Sequence, residues 1–558
     1  MSPTQVSAVE ITDLASRAGL KLEDGHAESY SAMTSAFEDL IASLGDDKLL
    51  LPKPDLSKYP RTDIYIPDPK DSDGGGWATR ATIKATSPKS NLLKGKTIAI
   101  KDNTAVAGVR CTNGTTMVDW TPEYDATVVT RILDAGAVIL GKSACENCCL
   151  EGTSKSSCTG RVHNPYADYY SAGGSSSGSG RLVATGSVDM AMGGDQGGSI
   201  RIPATCCGIV GLKPTWGLVP YTGILSLDAN IDHTGPMARN VPDCATLLEA
   251  IAGADGWDDR QPGFGLEVGS PKTLFVDAVQ DIISKDSSTA LSGFKVGILK
   301  EGFEVPDQDP NVVASVKAAA EKFSQLGATV KEISVPSHHT AHVIWTCGLP
   351  IAGGRQAIFG DIDGRKQLAM TDRGALITPK RLSQREFDAM GPGCRNLYIR
   401  WLYCEEKYGP ALQGRVGNLV KGLTDEYDKA LKDVDFFVMP TVSTPPPNLG
   451  QESTEEDPLQ GNALTPSIIH NTCPFDCKLP SRRGLWWCPI TYSVASAMLT
   501  ATATGHPALS LPCGFVPAQD SAEVKLPTAI MLVGRRYDDV TVLKAAAAWE
   551  NAFDWKKL

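Results

Sequence analysis

Residues 171–216 read SAGGSSSGSGRLVATGSVDMAMGGDQGGSIRIPATCCGIVGLKPTW, and no other segment of the chain packs so much glycine and serine around so short an apolar run. Two clusters, Gly173 to Gly180 and Gly193 to Ser199, flank a predicted helix (Arg181 to Thr185) and a predicted short strand (Val188 to Met192). Glycine lets a backbone turn sharply and approach another group closely. Ser199 is expected to open the next helix, where free N–H groups and the helix dipole favour negative charge. The pattern therefore predicts an oxyanion site beside a hydroxyl. Gly/Ser runs are more often linkers. This one is interrupted by Val188 to Met192 and followed by Ile200, Ile202, Ile209 and Val210, so it lies within core-forming sequence.

A reactive hydroxyl needs a base. Upstream, Gly95 to Asn103 (GKTIAIKDN) places Lys101 just past a short β-like run. The lysine after such a strand, the GGSSSG cluster, GGDQGGSIRIPA and Gly211-Leu212-Lys213-Pro214-Thr215 together resemble the amidase signature family, whose chemistry rests on a Ser/cis-Ser/Lys triad. The resemblance implies Ser199 as nucleophile, Ser175 as bridging cis-serine and Lys101 as base. It assigns the oxyanion and substrate contacts to Gln196, Gly197 and Gly198, with the Ser199 N–H alongside. Asn230 to Pro236 (NIDHTGP) and Thr504 to Pro512 (TGHPALSLP) bring the chain closest to the broad-range amidases that accompany nitrile hydratases. The family usually writes GGSSGGS, so Ser177 stands here where a glycine is expected, which adds a Cβ at a tight turn.

The resemblance implies hydrolysis of a carboxylic amide to acid and ammonia, with no metal or cofactor. A lysine acting as base must be neutral, although the free side chain titrates near about 10.4; burial disfavours the charged form. The alternatives are an amidotransferase subunit of the same family and a non-catalytic paralogue acting in an assembly. The implied fold is α/β: a large mixed, mostly parallel sheet flanked by helices, with a small N-terminal helical region that relatives use in dimer contacts. A homodimer is therefore expected, against the simpler reading that these helices only cover the core.

Competing motifs are weaker. Gly174 to Gly178 satisfies GxSxG and would make Ser176 a nucleophile, but that motif needs a strand directly before it and Asp168 to Ala172 (DYYSA) is a poor one. Ser90 to Thr97 (SNLLKGKT) resembles a P-loop but lacks the first glycine and runs into a strand. Cys145 to Cys148 forms a CxxC without the second pair a zinc ribbon requires. His163, His233 and His506 lie near motifs, but none has the setting of a Ser-His-Asp triad.

The surrounding chain alternates short strands and helices: Thr97 to Ile100, Ala126 to Ala135, Ala137 to Leu140, then Lys295 to Leu299, Pro310 to Leu326 and Thr329 to Val335. Such alternation argues βαβ units. Phe436 to Pro440 is a predicted buried strand stopped by proline. Residues 1–77 divide into helical patterns and a Pro/Asp/Gly-rich linker (Pro52 to Trp77), and 78–558 form the main domain. Within the first part, Met33, Phe37, Leu40, Ile41 and Leu44 recur at helical spacing, which predicts an amphipathic helix packed on something.

With 558 residues, a net charge of −11 and a pI near 5.3, the chain repels nucleic acid and anionic membrane on average. Neither a secretory signal nor a membrane-length apolar run is evident, so the expectation is a cytoplasmic protein acting on a small-molecule amide. Fifteen scattered cysteines suit reduced thiols. The terminal Lys556-Lys557-Leu558 only approaches a peroxisomal SKL address.

Lys478 to Ala503 (KLPSRRGLWWCPITYSVASAMLTATA) interrupts the family-like join between Thr472-Cys473-Pro474-Phe475-Asp476 and Thr504-Gly505-His506-Pro507-Ala508. Codons for Cys477-Lys478 can spell GTAAG, those for Leu499-Thr500 can spell CTNAC, and Thr502-Ala503 can end in AG. These are splice donor, branch-point and acceptor patterns. Residues 478–503 therefore read as a retained intron, whose removal restores Phe-Asp-Ser-Thr-Gly-His-Pro, with a surface loop or lid as the competing reading.

Overall fold

The computed structural model describes residues 5–44, 51–117, 120–261, 274–305, 307–361, 369–370, 382–450, 471–472 and 504–558. The suspected insertion 478–503 lies outside them. The chain divides into two compact units, Met1–Leu51 and Pro52–Leu558.

In the first unit, α1 (Ala8–Arg17) begins at Ser7, whose hydroxyl accepts from the Glu10 N–H in a capping box. It packs on α2 (His26–Ala42), tied by the Val6 N–H to Ser35 Oγ at 3.0 Å. The helix expected from the apolar spacing is present, but Met33, Phe37, Leu40, Ile41 and Leu44 are exposed rather than packed.

The second unit is built on one 12-stranded sheet. Its strands are β1 (Arg61–Tyr65), β2 (Trp77–Lys84), β3 (Thr97–Lys101), β4 (Val138–Ser143), β5 (Met190–Asp195), β6 (Val210–Lys213), β7 (His233–Ala238), β8 (Lys295–Leu299), β9 (Thr329–Ile333), β10 (Phe436–Pro440), β11 (Ala508–Ala518) and β12 (Ser521–Gly534). They lie in the order β1-β2-β4-β3-β5-β7-β6-β11-β12-β10-β8-β9. The stretch read as a linker thus contributes the edge strand β1.

The mixed sheet flanked by helices is as expected, but the expectation of mostly parallel pairing is corrected. Only β4-β3, β3-β5, β10-β8 and β8-β9 are parallel, and the other seven neighbouring pairs are antiparallel. Connection length accounts for part of the pattern. Parallel neighbours need a crossover, which α3 (Thr127–Asp134) supplies between β3 and β4 and α6 (Pro310–Glu321) between β8 and β9. Among the antiparallel pairs, β1-β2, β6-β7 and β11-β12 join consecutive strands, the last through Gln519-Asp520, whereas β2-β4, β5-β7, β6-β11 and β10-β12 bring together strands from separate parts of the chain.

Each crossover helix presents an apolar face to the sheet. Val128, Val129, Ile132 and Leu133 of α3 and Val312, Val316 and Ala319 of α6 join one large buried cluster with Ile98, Ile100, Ile139 and Val296 from the strands. A second cluster contains Ala99, Leu182, Val183, Ala191, Ile200, Ala204 and Met237. Successive β3 residues divide between the two, Ile98 and Ile100 in one and Ala99 in the other, as the period of two requires. The two helices at the glycine-serine stretch, α4 (Ser177–Ala184) and α5 (Arg201–Cys207), pack against each other and supply several residues of the second cluster.

Candidate active site

β3 ends at Lys101, inside the sheet between β4 and β5. The lysine is 1% exposed, and its Nζ lies 2.8 Å from Ser175 Oγ and 3.4 Å from the Gly194 carbonyl. Ser175 is fully buried and the Gly174–Ser175 peptide bond is cis, as the resemblance implied. The preceding Gly173 has φ +73°, and a Cβ there would stand 2.8 Å from the Pro203 Cα, so both conformation and space require glycine.

β5 ends at Asp195, and the chain then turns through Gln196, Gly197, Gly198 and Ser199. Ser199 is 8% exposed, and its carbonyl accepts from the Ser176 N–H at 3.3 Å, which ties the two serine clusters together. Ser199 does not open a helix as expected: α5 starts at Arg201 and runs only seven residues. Asp195 explains the difference. Its carboxylate accepts from the N–H groups of Gly198 (2.8 Å) and Ile200 (3.1 Å) and from the Arg201 guanidinium (2.9 and 3.0 Å), so it organises a turn instead. Burial pushes this carboxyl's pKa up, but the Arg201 charge and hydrogen bonds more than offset that and hold it well below the usual range.

Gly198 is therefore removed as an oxyanion donor, because its N–H is already bonded to Asp195. The N–H groups of Gln196, Gly197 and Ser199 have no acceptor among the described residues. Gly198 matters sterically: its φ is +121°, and a Cβ would lie 2.4 Å from Thr472 Oγ1. The turn's outer side is held by Thr472 Oγ1 donating to the Gly197 carbonyl (2.9 Å) and Trp345 Nε1 donating to the Gln196 carbonyl (2.8 Å).

Gln196 is 2% exposed. Its Nε2 donates to Tyr221 Oη at 2.8 Å and Asp232 Oδ1 at 3.0 Å, and the carboxylate acceptor fixes which end of the amide is nitrogen. Oε1 is left with no partner among the described residues. Gln196, Gly197, Ser199, Gly174 and Cys149 line one cleft of about 40 Å³. A larger cavity of about 450 Å³, lined in part by Trp216, Gly348 and Arg536, contains none of the three expected triad residues; Trp345 borders both.

The other serines have structural partners. Ser176 Oγ donates to the Gly194 carbonyl and accepts from the Gly194 N–H, both at 3.2 Å, which leaves nothing for a GxSxG nucleophile to do. Ser177 opens α4 and donates to Glu146 Oε1 at 3.2 Å, so the extra Cβ is accommodated in a helix rather than strained in a turn. His233 Nδ1 lies 2.8 Å from the Ile231 carbonyl, and burial lowers its pKa well below the usual value. His506 sits between Thr504 Oγ1 (2.8 Å) and Asp428 Oδ1 (3.0 Å), but Asp428 also pairs with Arg536 at 2.6 Å, away from Ser199's cleft. Among the described residues no group of three His, Cys, Asp or Glu side chains could hold a metal ion, and no helix is long and apolar enough to cross a membrane.

Sequence reasoning missed Asp195, Thr472, Trp345 and Cys149. Asp195 stood inside the quoted GGDQGG, where a carboxylate two residues before a Gly-Gly pair is a turn-forming signal. Thr472 opened a quoted family-like segment without a role assigned to it, and Trp345 comes from distant chain and carries no local signal.

With this geometry in view, the chain's likeness to other proteins is specific. It is 36% identical over 480 residues to an enantioselective amidase of Rhodococcus rhodochrous, covering 85% of this chain and 83% of that protein. It is 31% identical over 462 residues to a glutamyl-tRNA(Gln) amidotransferase subunit of Koribacter versatilis (strain Ellin345), covering 82% and 85%. The fold matches the X-ray structure of a peptide amidase from Stenotrophomonas maltophilia with a TM-score of 0.61 at 23% identity, covering 82% and 83%. Because the family model described as Amidase also matches residues 76–477, this chain belongs to the amidase family, hydrolases acting on amide C–N bonds.

Proposed function

We propose that the chain is a serine amidase that hydrolyses a small carboxylic amide to acid and ammonia through an acyl-enzyme on Ser199. The observation that carries this reading is the buried 2.8 Å contact of Lys101 Nζ with Ser175 Oγ, next to the turn that presents Ser199 to a cleft. Lys101, as the free amine, takes the Ser175 proton while Ser175 takes that of Ser199, and Ser199 Oγ attacks the amide carbonyl. The N–H groups of Gln196, Gly197 and Ser199 hold the oxyanion. As the C–N bond breaks, the relay returns its proton to the leaving nitrogen. Water then enters, loses a proton to the same relay and hydrolyses the ester. Gln196 Oε1, a buried acceptor with no partner among the described residues, receives an N–H of the substrate's carboxamide.

The amidotransferase reading is favoured by the glutamyl-tRNA(Gln) amidotransferase relatives. An ammonia-release assay over aliphatic, aromatic and amino-acid amides separates the two. Release by the purified chain alone supports the amidase, and release only with a partner present supports the amidotransferase. We also assign the protein to the cytoplasm, as a homodimer joined through the exposed apolar face of α2. Mass measurement by light scattering with and without Phe37→Glu tests the dimer.

A further inference from the structure

We propose that Cys149 is a covalent modification site: its thiol is alkylated by small electrophiles that carry a carboxamide, and the adduct blocks the cleft in front of Ser199. The hydrolytic mechanism leaves this group unused, yet it lies at the centre of the machinery. Cys149 ends the short turn Asn147–Cys149, with Cys148 and Cys149 both in the left-handed region at φ +51° and +58°. Non-glycine residues seldom adopt that conformation, which here aims successive side chains differently from a regular helix. Cys149 Sγ donates to Asn113 Oδ1 at 3.3 Å, hydrogen-bonds with Cys145, and lies against Ser175 and Lys101. It also lines the cleft with Ser199, Gly174 and Gln196, and is the one thiol to do so among the described residues.

Two features make it reactive and selective. Its hydrogen bond with the Cys145 thiol draws its pKa down, against burial, while the paired Cys145 thiol is pushed up. The thiolate is the nucleophilic form. Cys158 is exposed as a residue, but its sulfur is partly shielded from water, and that desolvation shifts its thiol the other way, upward. Selectivity comes from Gln196, which lines the same cleft and whose buried Oε1 has no partner among the described residues; it accepts an amide N–H and repels a carboxylate.

With iodoacetamide, the sulfur attacks the methylene carbon, the C–I bond breaks, iodide leaves and the thiol proton goes to solvent. With acrylamide, the sulfur adds to the terminal carbon and the proton goes to the α-carbon. Neither step needs a further reactant. The amide preference rests on the amidase reading of the cleft; the labelling is read by mass and does not depend on turnover.

Iodoacetamide and iodoacetate are applied in parallel to the full-length folded protein and to Ser199→Ala at pH 7.5, with labelled cysteines located by peptide mass spectrometry. The expected result is a ratio of iodoacetamide to iodoacetate rate at Cys149 at least tenfold above the ratio at the exposed Cys158 and Cys347. Propionamide should slow labelling of Cys149 in Ser199→Ala at least fivefold and leave the exposed thiols unchanged. In the wild type, loss of ammonia release should track Cys149 labelling. Labelling of Cys158 and Cys347 with Cys149 untouched overturns the site. Equal reagent ratios, or no protection by propionamide, overturn the amide selectivity. Full labelling of Cys149 with ammonia release intact overturns the block. If Ser199→Ala still hydrolyses amides while Cys149 labels as described, the nucleophile assignment fails and this proposal stands.

Discussion

Lys101 Nζ and Ser175 Oγ meet at 2.8 Å in a part of the protein that solvent does not reach, since the two side chains are 1% and 0% exposed. An amine so placed has Ser175 and the Gly194 carbonyl as neighbours, and Ser175 belongs to the loop that is hydrogen-bonded to Ser199. Lys101→Met keeps the chain length and removes the amine. Ammonia release is expected to fall by about 10²–10⁴-fold, the usual range for a lost general base. Steady-state kinetics on the best amide, with circular dichroism to show an intact fold, checks it.

Gly198→Ala tests the turn without touching a polar group. The added Cβ meets Thr472 Oγ1 at 2.4 Å, and the φ of +121° disfavours any side chain. The turn must shift, and with it the N–H groups of Gly197 and Ser199. A loss of kcat of at least about 100-fold is expected, the scale of a lost oxyanion contact, with the far-ultraviolet spectrum unchanged.

Asp195 and Arg201 are both fully buried and joined by two hydrogen bonds of 2.9 and 3.0 Å. Asp195→Asn leaves the guanidinium without its counter-charge, and a loss of about 3–5 kcal/mol of stability is expected. Arg201→Met in the same background should recover part of that stability. It should not recover turnover, because the Gly198 and Ile200 N–H groups still lack their carboxylate. Denaturant melts and ammonia release on the wild type and the two variants give the two readouts.

What could be read in advance followed short-range physics. The β8-α6-β9 unit was visible because Val312, Val316 and Ala319 repeat at helical spacing between two apolar runs, and Lys101, Ser175 and Ser199 were visible as motif positions. Strand pairing was not, because β6 finds β11 across nearly 300 residues and nothing local in Val210 to Lys213 encodes an antiparallel neighbour. The exposed stripe of α2 shows the same limit: periodicity predicts a helix with an apolar face but not what covers it. In the site, the role of Gly198 could not be read correctly because its donor is taken by Asp195, and that bond exists only once the turn has formed.

Glu550 supplies a pH test remote from the cleft. It accepts from the Val241 N–H at 2.8 Å, and burial pushes its pKa up to about 7 from an ordinary value of 4.5. A carboxyl with a raised folded-state pKa binds its proton more tightly when folded. Its stabilising contribution is therefore complete below about 4.5 and lost as pH rises through about 7. Glu550→Gln keeps an acceptor for Val241 and has no charge to bury. Relative to wild type it should gain stability between pH 5 and pH 8, by up to about 3 kcal/mol. Thermal melts of both proteins across that range show it; parallel curves would contradict it.

The central claim is that Ser199 carries the acyl group. Quenching the wild-type enzyme during turnover of a slow amide and mapping its peptides by mass spectrometry tests that directly. The account predicts an adduct of the acyl mass on Ser199, absent from Ser199→Ala together with ammonia release, and still present in Ser176→Ala. An acyl adduct on Ser176 or Cys149, or near-native ammonia release from Ser199→Ala, would contradict it.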